Sequence, residues 1–204
     1  MGIFVDDRRD SMQLTVEPYA PETLDEIGEL RQRIQELERR LDSAPDANSL
    51  SMLVFSSELD KLLAAFTIAT GAGACGMKVA LFCTFWGTAA LKKSGPQGAD
   101  KSPIERLFGW MLPGGLHKRR LSHLDFGGFG RRLMTREMKK KRLTDLPALI
   151  DLAGELGVQI YVCEMSMSLM GIRREELIAY PHLHYCGVAS FLDLAAQSNT
   201  TLFV

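Results

Sequence analysis

Leu62 to Leu91 constrains this chain more than any other stretch, because thirty consecutive residues carry a single charge, Lys78. About 20 apolar residues suffice for a membrane-crossing helix, so the length alone would permit a span. The interior of the run argues otherwise. Gly71, Gly73, Gly76 and Gly87 interrupt it, and at Lys78 an Ala-rich segment with helical spacing gives way to Val79-Ala80-Leu81-Phe82-Cys83, a strand pattern. A buried helix followed by a parallel strand covered on both faces accounts for the apolarity and for the break. A soluble α/β fold is therefore expected.

The rest of the chain extends that reading. Leu50 to Ser56 reads as an apolar strand, and Ser57 as the N-cap of a helix running to about Ala72. A short helix is expected over Phe85 to Lys93. Thr144 to Leu156 reads as a helix with Pro147 near its first turn and Gly157 closing it. Val158 to Cys163 is a third strand, followed by a short helix from Ser166 to about Gly171 and helical continuation through Arg173 to Ile178. A turn or short strand near Val188 leads into a helix from Phe191 to Gln197, and Thr200 to Val204 supplies a last strand. Successive strand-helix units imply right-handed crossovers. The expected fold is a flavodoxin-like open parallel sheet of about five strands with helices on both faces.

Ahead of this domain, Leu24, Ile27, Leu30, Ile34, Leu37 and Leu41 recur at three- and four-residue spacing among charged residues. They predict an amphipathic, coiled-coil-like helix over about 22–43, packed on its own domain or on another copy. Residues 1–49 are thus read as an extension ending in a linker from Ser43 to Ser49, and 50–204 as the α/β domain. Within the latter, about 94–142 reads as an insertion rich in glycine, methionine and basic residues.

Twenty-four Lys and Arg against 25 Asp and Glu give a net charge of −1, which excludes a global field for nucleic acid or membrane. Charge is local instead: between His117 and Arg142 stand Lys118, Arg119, Arg120, Arg131, Arg132, Arg136, Lys139, Lys140, Lys141 and Arg142, opposed by Asp125 and Glu137. With apolar Leu107 to Leu112 upstream, this reads as a mobile flap suited to an acidic partner or to peripheral contact with a membrane, or simply as a solvated face. The patch lacks interleaved aromatics, so no nucleic acid is expected. The opening residues carry no basic run leading into an apolar one, and Asp6 spoils the myristoylation pattern that Gly2 would begin. A cytoplasmic location with reduced thiols is expected, with membrane association left open.

Cys75, Cys83, Cys163 and Cys186 form no Cys-x-x-Cys pair, and no metal site is expected. His182 and His184 flank Leu183 but lack completing ligands. The Met165, Met167 and Met170 run reads as packing. Gly71 to Gly76 ends a helix instead of opening one, so no nucleotide cofactor is expected. Cys163 is the residue of interest, at the carboxyl end of an apolar strand just before a helix. Ligands bind at that edge of a parallel sheet, and helix N–H groups there favour a thiolate. Ser166 would cap the helix or donate to the sulfur. A small buried hydrophobe is the equal alternative. Cys83, also near a strand end, is the best second thiol. Cys186 reads as part of a His-rich loop.

Val54 to Lys61, Thr84-Phe85-Trp86-Gly87, Gly127-Gly128-Phe129-Gly130 and above all Cys163-Glu164-Met165-Ser166-Met167-Ser168-Leu169-Met170-Gly171-Ile172 with Glu175-Glu176-Leu177 resemble the DsrE/DsrF-like sulfur-carrier proteins, in their longer, peroxiredoxin-like-labelled branch. The likeness covers about Leu50 to Val204. It implies a flavodoxin-like domain, assembly into a trimer or larger homo-oligomer, and relay of sulfane sulfur as a persulfide on Cys163 between donor and acceptor proteins or low-molecular-weight persulfides. On that reading Ser166 and Met165 support the anion, while Trp86 and Met167 line its pocket. Cys83 and Cys186 depart from the family pattern. The competing reading is a non-catalytic assembly or membrane-docking module built on the N-terminal helix and the basic flap; a thiol peroxidase is weaker, since Tyr161-Val162 supply no threonine or proline ahead of the thiol.

Overall fold

The computed structural model describes residues 21–204 except 43, 45, 96–100, 113, 117, 118 and 124. Gly2, Asp6, His117 and Lys118 thus lie outside the described residues. The chain divides into two units, Met1–Ala44 and Pro45–Val204.

The described part of the first unit is helix α1 (Pro21–Asp42). Its last turn holds Arg39 and Arg40, cations at the negative end of the helix dipole, and both pair with Glu36 at 2.6 and 2.9 Å. These exposed pairs add only a few tenths of a kcal/mol each.

The second unit runs β1 (Asp46–Val54), α2 (Leu59–Ala74), β2 (Lys78–Cys83), α3 (Trp86–Ala90), α4 (Pro103–Met111), α5 (Phe129–Lys140), α6 (Leu146–Glu155), β3 (Gln159–Cys163), α7 (Glu164–Met170), β4 (Leu183–Cys186), α8 (Val188–Gln197) and β5 (Ser198–Phe203). The strands form one five-stranded sheet, ordered β4-β3-β2-β1-β5 and parallel throughout. Alternation of side chains sorts the sheet into two faces. Leu50, Met52, Val54, Val79, Leu81, Cys83, Ile160 and Val162 enter the main core with α2 and α6. The opposite face gathers a smaller cluster of Phe82, Cys163 and Phe191, with Leu53, Tyr161, Cys186 and Ala195 against it; Phe191 and Ala195 come from α8.

Several local expectations change. The segment read as linker supplies the start of β1 from Asp46, because Asp46 pairs with Ser198 and Ser49 with Lys78. Glu58, not Ser57, occupies the N-cap of α2, and the Ser56 hydroxyl accepts the Glu58 N–H. Only Arg174–Glu176 winds into a 3-10 turn where a longer helical continuation is expected. The His-rich segment forms β4, which a loop reading misses. The insertion is not patternless: a capping box between Ser102 and Glu105, with Pro103 in the first turn, starts α4, and α5 follows. Among the described residues, no helix is long and apolar enough to cross a membrane.

Candidate functional site

The carboxyl ends of β2, β3 and β4 bring Thr84, Cys163 and Cys186 to one edge of the sheet. Cys163 occupies the N-cap position of α7, which begins directly after it at Glu164 rather than at Ser166. Ser166 is fully buried at 0% exposure and points back to the chain leaving β2. Its hydroxyl lies 3.0 Å from the Thr84 hydroxyl and accepts the Phe85 N–H at 2.9 Å. Phe85 sits at φ 43°, a conformation that strains a bulky residue by about 1–3 kcal/mol. Its N–H bond to Ser166 and the Thr84 N–H bond to the Val54 carbonyl, at 3.0 Å, hold that turn in place.

Cys163 is 1% exposed, and burial by itself pushes its thiol up. The nearby Ser166 hydroxyl and N–H, the Thr84 hydroxyl and the Met165 N–H oppose this as dipoles that favour the anion, and the net direction is down. The sulfur closes no regular side-chain cap on α7. A sulfur so placed favours thiolate, the nucleophilic form.

The other cysteines differ. Cys83 points into the main core on the opposite face of the sheet, and burial pushes its thiol up to about 12, so the structure does not bring this expected second thiol to Cys163. Cys75 is exposed at the end of α2. Cys186 ends β4 directly opposite Cys163 in the ladder. Its thiol is pushed up by burial and by the charges of Cys163 and Glu164, against a hydrogen bond with Ser190.

Met165 is 57% exposed, whereas Met167 is buried against the main core and also lines the depression beside α7. Trp86 is exposed at the first position of α3. Beside α7 lies an open depression of about 480 Å³ lined by Glu105, Glu164, Ser168, Arg173 and Arg174 among others. Arg174 spans its edge, 3.0 Å from Glu164 and stacked 4.3 Å from the Tyr185 ring. His184 bonds Gln159 at 2.7 Å and stacks on Tyr161, and the described residues gather no group of three or more metal-ligating side chains. Of the basic run, Arg119 is buried and donates to the Ala89 and Ala90 carbonyls at 2.7 and 3.2 Å, capping α3.

A profile of the DsrE/DsrF/DrsH-like family matches residues 46–203. The chain belongs to this family. Among its relatives, the uncharacterized protein YrkE of Bacillus subtilis is 38% identical over 154 residues, covering 76% of this chain and 95% of YrkE. Sulfur carrier protein DsrE2 of Allochromatium vinosum is 26% identical over 163 residues, covering 78% and 99%. The ychN protein of E. coli, a solved structure, aligns with a TM-score of 0.45 at 8% identity over 78% of this chain and 100% of its own.

Proposed function

We propose that this member of the DsrE/DsrF/DrsH-like family is a sulfurtransferase-like carrier. The Cys163 thiolate attacks the outer sulfur of a donor persulfide, the donor leaves as a thiolate, and the sulfane sulfur rides as Cys163–S–SH until an acceptor thiolate removes it. The observation that carries this reading is the place of Cys163 at the carboxyl end of β3 and the N-cap of α7, with Ser166 tied to Thr84 across the neighbouring strand end. A lowered thiol there serves both halves of the exchange, because a stabilised thiolate is present to attack and departs readily as leaving group. Ser166 stands three residues after Cys163, where a Cys-x-x-Cys redox motif has its second thiol, so no resolving thiol sits at that spacing. The likeness to the Allochromatium sulfur carrier protein supports the same reading. Donor and acceptor are proteins or low-molecular-weight persulfides, and the exchange needs no metal or cofactor. At 1% exposure, loading requires side chains over the sulfur to part.

Cyanolysis tests the proposal. Chain treated with inorganic polysulfide and freed of excess should release a stoichiometric yield of thiocyanate with cyanide, and Cys163→Ser should release none. Equal yields from both would end the carrier reading.

A second reading, docking or assembly, is favoured by a different observation. Ile104, Leu107 and Trp110 on α4 are exposed, as are Arg132, Arg136, Lys139 and Lys140 on α5, and α1 carries exposed Leu30, Ile34 and Leu41. The exposed apolar stripe of α4 and the basic face of α5 each suit an acidic partner or an anionic membrane, and the α1 seam suits self-association into a trimer or larger. On this reading, charge reversal at Lys139, Lys140 and Lys141 abolishes function while Cys163→Ser leaves it intact.

A further inference from the structure

A second thiol stands beside the first. β3 and β4 run parallel with Cys163 opposite Cys186, and both side chains belong to the cluster around Phe82 and Phe191. Neighbouring strands lie about 4.8 Å apart. Two cysteines in register on one face therefore fall within the Cα separation of about 4.4–6.8 Å that a sulfur–sulfur bond bridges, and a persulfide extends one of them by a further bond of about 2 Å. Access differs sharply between the two. Cys163 is enclosed, whereas Cys186 is partly exposed, within reach of a molecule outside.

We propose that Cys186 is the exit thiol of the carrier: sulfane sulfur loaded on enclosed Cys163 passes within the chain to Cys186, where an outside acceptor collects it. The inference rests on the carrier reading above. In the step, the Cys186 thiolate attacks the outer sulfur of Cys163–S–SH. The new bond makes Cys186–S–SH, the old S–S bond breaks, and its electron pair stays on the Cys163 sulfur as thiolate. The proton that Cys186 gives up on ionising goes to solvent at its exposed side. Nothing is oxidised or reduced, so no further reactant is required.

The surroundings set the direction. Ser166, Thr84 and the Met165 N–H stabilise a thiolate at Cys163 and make it the better leaving group. Burial and the charges of Cys163 and Glu164 disfavour a thiolate at Cys186, which makes that thiolate the stronger nucleophile once formed. Transfer thus runs from the enclosed sulfur to the accessible one.

Timed loading of the full chain with glutathione persulfide, followed by alkylation, digestion and mass spectrometry, tests this. Wild type should carry sulfane sulfur on Cys163 first and on Cys186 later. In Cys186→Ser and Cys186→Ala the sulfur should stay on Cys163, and its release to glutathione should slow by at least about tenfold, the loss of an intramolecular step. Wild type in which Cys186 stays unlabelled, with both variants releasing sulfur at the wild-type rate, would overturn the inference while leaving Cys163 loaded and the carrier reading intact. Labelling of Cys186 in Cys163→Ser as fast as in wild type would also overturn it. A Cys163 that takes no sulfur in any of these chains would overturn the carrier reading itself, and this inference with it.

Discussion

Cys163 and Ser166 work as one electrostatic unit, tied by the Thr84 and Phe85 contacts to the end of the neighbouring strand. Ser166→Ala removes a hydroxyl beside the sulfur and leaves the Phe85 N–H and the buried Thr84 hydroxyl short of a partner, a cost of about 1–3 kcal/mol. The sign of the pH effect follows from the depressed thiol. In wild type, ionisation of Cys163 adds stability as pH rises from the folded pKa to the higher unfolded one, and that gain is lost as pH falls through the folded pKa. Ser166→Ala should therefore move the midpoint of iodoacetamide alkylation at Cys163 to higher pH and shrink this pH-dependent gain in urea melts. An unmoved midpoint would remove Ser166 from the thiolate's support. Cys163 and Ser166 are legible in the sequence because they stand three positions apart on one strand-to-helix junction. Thr84 is not, since it reaches the site from 82 positions before Ser166 through sheet pairing alone. Cys83 and Cys186 exchange their expected standing for the same reason: strand parity puts Cys83 on the far face, and lateral pairing puts Cys186 beside the sulfur.

At the scale of elements, the turn from β2 into α3 is fixed by a close approach. A Cβ on Gly87 would lie 2.1 Å from the Val54 carbonyl oxygen, and the Gly87 N–H already donates to Phe55 at 3.1 Å. Gly87→Ala should push α3 off β1 and cost about 3 kcal/mol, the upper end for overpacking, read as a lowered urea midpoint. A midpoint within error of wild type would mean that this turn yields easily. The long amphipathic and apolar segments are readable because their periodicity is strong over many residues. β4 escapes such reading: it has four residues, follows Pro181, and alternates Leu183 and Tyr185 with His184 and Cys186, so no apolar run marks it. α4 hides inside a stretch dominated by glycine and basic residues, although Ser102, Pro103 and Glu105 announce its start.

Across the whole α/β unit, the insertion packs Leu112, Leu116, Leu121, Met134 and Met138 on the main core and is fastened by polar contacts as well. Lys101 and Glu176 pair at 2.7 Å with side chains 1% and 8% exposed, Arg119 caps α3, and the Ser122 hydroxyl donates to Asp60 on α2. Lys101→Ala takes the paired cation from a buried carboxylate that keeps the Arg173 N–H, and should cost about 3 kcal/mol. Limited proteolysis should then cut the insertion sooner than in wild type; an unchanged cleavage rate would mean that the pair does not fasten it. A parallel sheet is foreseeable from alternating strand and helix patterns. The order β4-β3-β2-β1-β5 is not, because periodicity says which residues are buried and not which strand lies beside which. The central claim, that Cys163 carries sulfane sulfur, is tested most directly by the intact mass of reduced wild type and Cys163→Ser after incubation with a low-molecular-weight persulfide. A reducible adduct of one sulfur atom on wild type, absent from Cys163→Ser, is the predicted result. No adduct on wild type, or the same adduct on both chains, would contradict it.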